Sequence, residues 1–378
     1  MITSQISPKD MEAFTARFRE LAAGTAAQLE DPLERYLAEG RRHPLMAPPG
    51  LGSHKSAPIA AWPGMAVCVS EFTPGEVSLA RLQCARVEHV MCFDGRFEIA
   101  FGQEQDVKLV LERFDLVSLP ANVLRSIRNT GGASGKLIVV TQIVPRAKDS
   151  LVFPSTTADD IESRFGKSAL QGLRDNGIVF NDVGEPVTQA AIDARVSRAA
   201  SRVPYQRSLE SKDGVPAEVM KYMAASRVYP IVAPAGLKGR NQNAPLKGLP
   251  GGSVSLAECD AGDGPQPHAH IDTREIFLCV EGRFDIVWGD RNEHKLILEP
   301  LDMVAVPPTV MRIFRNVTDK VGQLMVIIHG AENMTDSISS FPEVAADVEQ
   351  RFGREAVEAI KRVIKQSFDA LPGSRVAR

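Results

Sequence analysis

The chain repeats itself once, over nearly its whole length and at an offset that varies by only a residue or so between the blocks. Gly75 recurs as Gly262, Glu88 as Glu275, and Gly95-Arg96-Phe97 as Gly282-Arg283-Phe284. Asp115-Leu-Val-Ser-Leu-Pro120 recurs as Asp302-Met-Val-Ala-Val-Pro307, and Arg125-Ser-Ile-Arg-Asn129 as Arg312-Ile-Phe-Arg-Asn316. Outside these blocks, Pro44-Leu-Met-Ala-Pro-Pro-Gly-Leu51 echoes Pro230-Ile-Val-Ala-Pro-Ala-Gly-Leu237. Phe153-Pro154 with Arg164-Phe-Gly166 echoes Phe341-Pro342 with Arg351-Phe-Gly353. A period of about half the chain means two tandem domains of one design, not a solenoid, whose repeats are far shorter. At 378 residues, each copy is long enough to bury its own core.

Within each copy the apolar period switches from helical to strand-like and back. Residues 7–40 read as helix: Ser7 caps, Pro8 suits the first helical position, and Met11, Phe14, Phe18 and Leu21 fall at helical spacing. Over 60–145, short apolar runs alternate with turn signals such as Thr73-Pro-Gly75, Asp94-Gly95 and Gly131-Gly132. Residues 155–225 turn helical again. Val232–His329 repeats the strand pattern, with Glu281-Gly282 and Gly289-Asp290 as hairpin turns. In the tail, Val344, Val348, Val357, Ile360 and Ile364 form a helical stripe, and Ser340 and Glu343 have capping-box spacing. Strands in series without helical period between them imply a sandwich or barrel. The predicted order is a helical segment (1–40), a first barrel (41–153), a helical linker (154–227), a second barrel (228–335) and a C-terminal helix (336–378). The loop Gly236–Gly252, rich in Gly, Pro, Asn and Lys, is expected near a barrel mouth.

Composition removes several classes of function. Net charge is −3 with no lysine and arginine block, which is no footprint for a nucleic-acid partner. No apolar stretch approaches the ~20 residues of a membrane helix, so no membrane partner is expected. The N-terminus lacks a basic start followed by an apolar run, so no signal peptide is expected. The five cysteines, without C-x-x-C spacing, read as buried free thiols in a reducing compartment. The expectation is a cytoplasmic protein. Amphipathic helical extensions that need cover point to a homodimer.

The chemistry concentrates in Gly262–Gly282, which reads G-x5-H-x-H-x4-E-x6-G. His268 and His270, two apart on a strand, point to one face, and Glu275 at the start of the next strand can lie beside them. Two imidazoles and a carboxylate suit Fe(II) and accept Zn, Mn or Ni. In the first copy Arg81 and Gln83 stand at the histidine positions, ahead of Glu88. Arginine is no metal ligand, so Arg81 and Arg125 facing Glu88 imply an ion-paired core or an anion pocket.

The Gly262–Gly282 pattern matches the first motif of the cupin superfamily position for position, and the chain resembles a bicupin. The resemblance covers both β regions. It implies a mainly β chain of two tandem double-stranded β-helix (jelly-roll) barrels with flanking α-helices. The second cupin motif, G-x5-P-x-G-x2-H-x3-N, falls on Leu301, Pro307, Thr309, Arg312 and Asn316, and on Phe114, Pro120, Asn122, Arg125 and Asn129 in the first copy. Both copies thus have arginine where the family supplies its last histidine ligand. Bicupins with one degenerate barrel resemble ring-cleaving dioxygenases of the gentisate type, which act on aromatic acids.

The metal set expected is therefore His268, His270 and Glu275, on a divalent ion with Fe(II) favoured. Arg312 has two readings. As a catalytic and substrate-binding group it would hold a substrate carboxylate or enolate bidentately. As a structural group it would pair with Glu275 inside the barrel. By alternation Phe277 and Cys279 share the face of Glu275, and Phe314 that of Arg312, so these three are assigned to the substrate pocket wall. His329 either adds a fourth ligand or merely ends its strand. His89 should point out of its barrel, His294 lie on the surface and Trp288 pack as core. The function implied is a small-molecule oxidoreductase, dioxygenase-like, for a small carboxylated substrate. The alternatives are a non-oxidative metal-dependent isomerase, decarboxylase or hydrolase, and a metal-free anion-binding or sensor cupin.

Overall fold

The computed structural model describes all residues except 1–5, 26–30, 49–55, 61–63, 145–149, 208–209, 211–213, 238–240, 290, 331–336 and 370–378. The first residues of the N-terminus, Pro49–Leu51 of the echo, part of the loop after Gly236 and Asp290 of a proposed turn lie outside the described residues. The chain forms two compact units. One takes residues 19–57 and 61–201, the other residues 1–18, 58–60 and 202–378. Each is a jelly-roll barrel of mainly antiparallel strands with helices outside it.

In the second barrel the larger sheet runs Thr15–Ala16, Met303–Val306, Arg274–Glu281, Gly322–His329, Gly252–Cys259, Arg227–Pro234, Leu246–Gly248. The smaller runs His294–Leu298, Phe284–Trp288, Arg312–Asn316, His268–His270, Ile338–Ser340, Gln366–Ser367. Alternation turns one face of each sheet inward. There Phe277 and Phe284 meet Phe314 edge-on, with ring centroids 5.2 and 6.2 Å apart. Trp288 is buried as expected, its Nε1 donating to the Ile6 carbonyl at 2.9 Å. His294 is half-buried beside it.

The duplication extends to backbone conformation. Leu301 and Phe114, at the first glycine of the second cupin motif, have φ of +71° and +68°. Thr309 and Asn122, at the second, have +64° and +60°. The left-handed turns that favour glycine are thus kept without it, at about 1–2 kcal/mol each. The two asparagines that end the motif are structural. Asn316 Nδ2 donates to the carbonyls of Cys259 and Lys320, and Asn129 Nδ2 to those of Phe72 and Ala133.

Each barrel is closed by the arm of the other copy. The arm Ser7–Phe18 belongs to the second unit. Its strand Thr15–Ala16 pairs with Met303 and Val304, Arg17 pairs with Asp302 at 2.9 Å, and the Phe18 amide donates to the same carboxylate at 2.9 Å. The equivalent arm, which follows the first barrel in the chain, does the same in the first unit. Val196–Ser197 pairs with Leu116 and Val117, Arg198 bonds Asp115 at 2.7 Å, and the Ala199 amide donates to Asp115 at 2.9 Å. Met11 and Ile192 sit in the two cores.

Several local expectations change. Among the described residues, the segment 7–40 holds three short helices, Pro8–Glu12, Phe18–Thr25 and Pro32–Leu37, with the arm strand between the first two. Short strands Val179–Phe180 and Val196–Ser197 interrupt the helices of 155–225. Among the described residues the tail is a helix Pro342–Phe352, a helix Arg354–Ala359 that runs on into a π-helical turn Ile360–Ile364, and a short strand Gln366–Ser367, with Gly353, whose φ is +86°, ending the first helix. The Ser340–Glu343 capping box does not form. Ser340 lies in a strand opposite His268 and accepts from Gln366, so the helix starts later, at Pro342. Cys84 is exposed while the other four thiols are buried, and none of the five is in a disulfide. Among the described residues no helix is long and apolar enough to cross a membrane.

His89 faces away from the first barrel's interior yet is fully buried, its Nε2 meeting Gln142 Oε1 at 2.9 Å. Burial pushes its imidazole down to about 4. In the unfolded chain it titrates near ~6.5. Between these values the unfolded state binds the extra proton, so stability is full above ~6.5 and is lost as pH falls toward 4. The expected loss is roughly 3 kcal/mol. Urea unfolding of wild type and His89→Gln at pH 7 and pH 4.5 checks it. The variant should lose distinctly less stability on acidification, and equal losses would contradict the assignment.

Candidate metal centre

His268 and His270 lie on a short strand in the smaller sheet, and Glu275 is the second residue of Arg274–Glu281 in the larger. The inner faces meet there. Glu275 Oε2 lies 3.3 Å from His268 Nε2, and Oε1 lies 3.5 Å from His270 Nε2. One donor atom from each residue falls within 4.8 Å of the others, and all three are buried. Neighbouring ligands on an ion with bonds of ~2.1 Å sit about 3.0–3.4 Å apart, so little adjustment is needed.

The far ring nitrogens are tied back. His268 Nδ1 meets the Gln266 carbonyl at 2.9 Å and His270 Nδ1 meets Thr273 Oγ1 at 3.2 Å. Such outer bonds aim the Nε2 atoms inward. The approach is further fixed by Gly264, where a Cβ would stand 1.7 Å from the Phe314 carbonyl oxygen, so only glycine lets this segment lie against the strand Arg312–Asn316. Sequence reasoning missed Gly264, whose signal lay inside the x5 of G-x5-H.

Arg312 is opposite His268 in register and fully buried. Its Nε donates to Glu275 Oε2 at 2.9 Å and its Nη1 to the Val310 carbonyl at 2.9 Å. This is the pairing geometry of its structural reading. Burial opposes the charge on Glu275, but the neighbouring His270, Arg312 and His268 side chains outweigh it and hold the carboxyl well below the usual carboxylate range. Burial likewise pushes the His268 imidazole below its ordinary value, against the pull of Glu275.

A small cavity, partly open to solvent, reaches His268 and Glu275. Ala257, Phe314, Val326 and Ile328 supply apolar walls, and Asn241 and Ser255 a polar end, where Ser255 Oγ donates to Asn241 Oδ1 at 3.0 Å. Asn241, in the loop expected near a barrel mouth, and Ser255 carried no motif. Phe314 lines the cavity as anticipated. Phe277 stands behind it, edge-on to its ring. Cys279 lies further along the strand, its Sγ 3.6 Å from the Gly282 carbonyl, and burial pushes its thiol up, away from reactivity. His329 is paired with Arg274, on the sheet face opposite Glu275, so it does not join the cluster.

The matching positions of the first barrel hold a different network. Arg125 pairs with Glu88, and Arg81 pairs with Glu39, with Arg125 also 3.8 Å from Glu39. Glu39, just ahead of the strand Arg41–Ala47, had no motif to mark it. Burial resists its ionisation, but Arg81, Arg125 and Arg42 push it down to about 2.

Residues 255–328 match the cupin domain model. The comparison with curated proteins gave no match. Among solved structures, one variant of the salicylate 1,2-dioxygenase of Pseudoaminobacter salicylatoxidans is 17% identical, with 86% of each chain covered and a TM-score of 0.51. A second variant of that enzyme is 16% identical, with 83% of each chain covered and a TM-score of 0.52. At such identity the likeness carries the fold. The cupin match thus falls on the second barrel, and the likeness to solved structures together with the internal duplication gives the whole chain the fold of two jelly-roll barrels in tandem.

Proposed function

We propose that the second barrel holds a divalent metal ion on His268, His270 and Glu275, with Fe(II) favoured and Zn, Mn or Ni acceptable. We propose further that the chain is a small-molecule oxidoreductase of the dioxygenase type, acting on a small carboxylated substrate. The observation that carries this reading is the tautomer of His268. A carbonyl can only accept, so Nδ1 must hold the proton in its bond to Gln266. In the neutral ring, Nε2 then turns a bare lone pair toward a carboxylate 3.3 Å away, buried and without a hydrogen-bond partner among the described residues. A cation between them resolves the repulsion, and burial works against that cation being a proton. A metal ion fits.

When bound, such an ion would supply Lewis acidity and redox chemistry toward O2. The chain's own contribution is orientation and exclusion of water. Gln266 and Thr273 aim the two imidazoles, Arg312 fixes the carboxylate, and Phe314, Val326 and Ile328 keep the cavity wall dry. The likeness to salicylate 1,2-dioxygenases agrees with an aromatic acid as substrate but is a likeness of fold. A metal-free anion-binding cupin is the second reading, favoured by the 2.9 Å pair between Arg312 and Glu275.

Oxygen uptake decides between oxidative and other chemistry. Fe(II)-loaded protein, offered a panel of hydroxybenzoates, is expected to consume O2 in step with loss of substrate. Conversion of a small acid that proceeds equally under argon would move the function to the isomerase, decarboxylase or hydrolase class.

A further inference from the structure

The charge of the cluster carries a consequence for the metal. Arg312 stays ionised at any pH a protein tolerates, and its Nε is bonded to Glu275 at 2.9 Å in full burial. The one carboxylate of the set is therefore already neutralised. Among the described residues no other acidic group joins the cluster. Where the first barrel brings in Glu39 against its arginines, the equivalent position in the matching strand pairing here is the uncharged Ala225. A divalent ion among His268, His270 and Glu275 would take the site from net zero to net +2. Uncompensated charge away from water is costly, and the described residues supply no further anion there.

We propose that the metal and a small anion bind this site as a pair, Arg312 making retention of the metal depend on an anionic co-ligand. The proposal rests on the metal reading above and deepens it. The co-ligand is a carboxylate, phenolate or enolate with an apolar body, because the cavity that reaches His268 and Glu275 is walled by Ala257, Phe314, Val326 and Ile328. A neutral molecule of the same shape would not compensate the charge. Coupling of this kind is reciprocal: the anion tightens the metal by the factor by which the metal tightens the anion.

The test is a Co(II) titration of the full chain, read by visible absorption, with free Co(II) fixed by a metal buffer. It is run alone, with salicylate, and with salicylamide, which has the same shape without the carboxylate charge. Salicylate is expected to tighten Co(II) about tenfold or more, and salicylamide hardly at all. Arg312→Gln should bind Co(II) more tightly than wild type without any anion, and salicylate should add little. If that variant does not fold, the wild-type titrations still decide. Co(II) bound equally well under all three conditions, or tightened equally by salicylamide, overturns the coupling while sparing the metal site. No Co(II) bound under any condition overturns the metal reading and the coupling with it.

Discussion

Removal of residues 1–18 is expected to unfold the second barrel, which lies far along the sequence, and to spare the first. The arm contributes Ile6 and Met11 to the buried core, where each is worth roughly 2 kcal/mol. Its strand covers the edge of Met303–Val306, its Phe14 carbonyl accepts from the Ala305 amide at 2.8 Å, and its Ile6 carbonyl is the partner of the buried Trp288. Arg17 and the Phe18 amide satisfy the Asp302 carboxylate, which is itself buried. Stripping a buried carboxylate of its partners costs about 3–5 kcal/mol. The total is comparable with the ~5–15 kcal/mol that holds a domain folded. In thermal unfolding the truncated chain should lose the transition of the second barrel, with Trp288 emission already shifted to the red at room temperature. A melting curve and emission spectrum like those of the full chain would show that the arm is dispensable.

The arm exchange also marks the limit of what the residues disclose. Ser7 and Pro8 correctly announce a helix start, the Ser7 side chain accepting from the Asp10 amide. Which barrel a docked arm closes is settled by contacts remote in sequence, and no local pattern encodes that. The arms also repeat at a shorter offset than the barrels. Met11 answers to Ile192, whereas the barrel offset that carries Glu88 to Glu275 would carry Met11 past Ile192 to Arg198. The arms therefore fall out of register with the duplication that reveals the barrels. Within the barrels the opposite holds. Strand alternation alone brings His268, His270 and Glu275 together, because period 2 fixes which side chains share a face. Alternation likewise separates His329 from them. It does not say how deep a residue lies, and so it groups Cys279 and Phe277 with Phe314 although Phe314 is the one at the cavity. Ser340 had the spacing of a cap, but pairing beside His268 claimed it for a strand. Glu39 and Asn241 reach their sites from loops, where no periodicity applies.

Replacing both His268 and His270 with alanine is expected to abolish metal binding by the whole chain. The two imidazoles are the neutral donors of the set, and what would remain is Glu275 already paired with Arg312. The first barrel should not compensate. At the two histidine positions it has Arg81 and Gln83, Arg81 and Arg125 are ion-paired to Glu39 and Glu88, and an arginine has no lone pair to offer a metal. The fold should survive, because both histidines lie on strands whose backbone pairing does not depend on the side chains. The most direct test of the account is elemental analysis of the wild-type chain and of this double variant, each loaded with Fe(II) or Zn(II) in the presence of salicylate and then freed of unbound metal. About one ion per wild-type chain is expected, and essentially none in the variant. Metal retained by the variant, or a wild-type chain that takes up none, would contradict it.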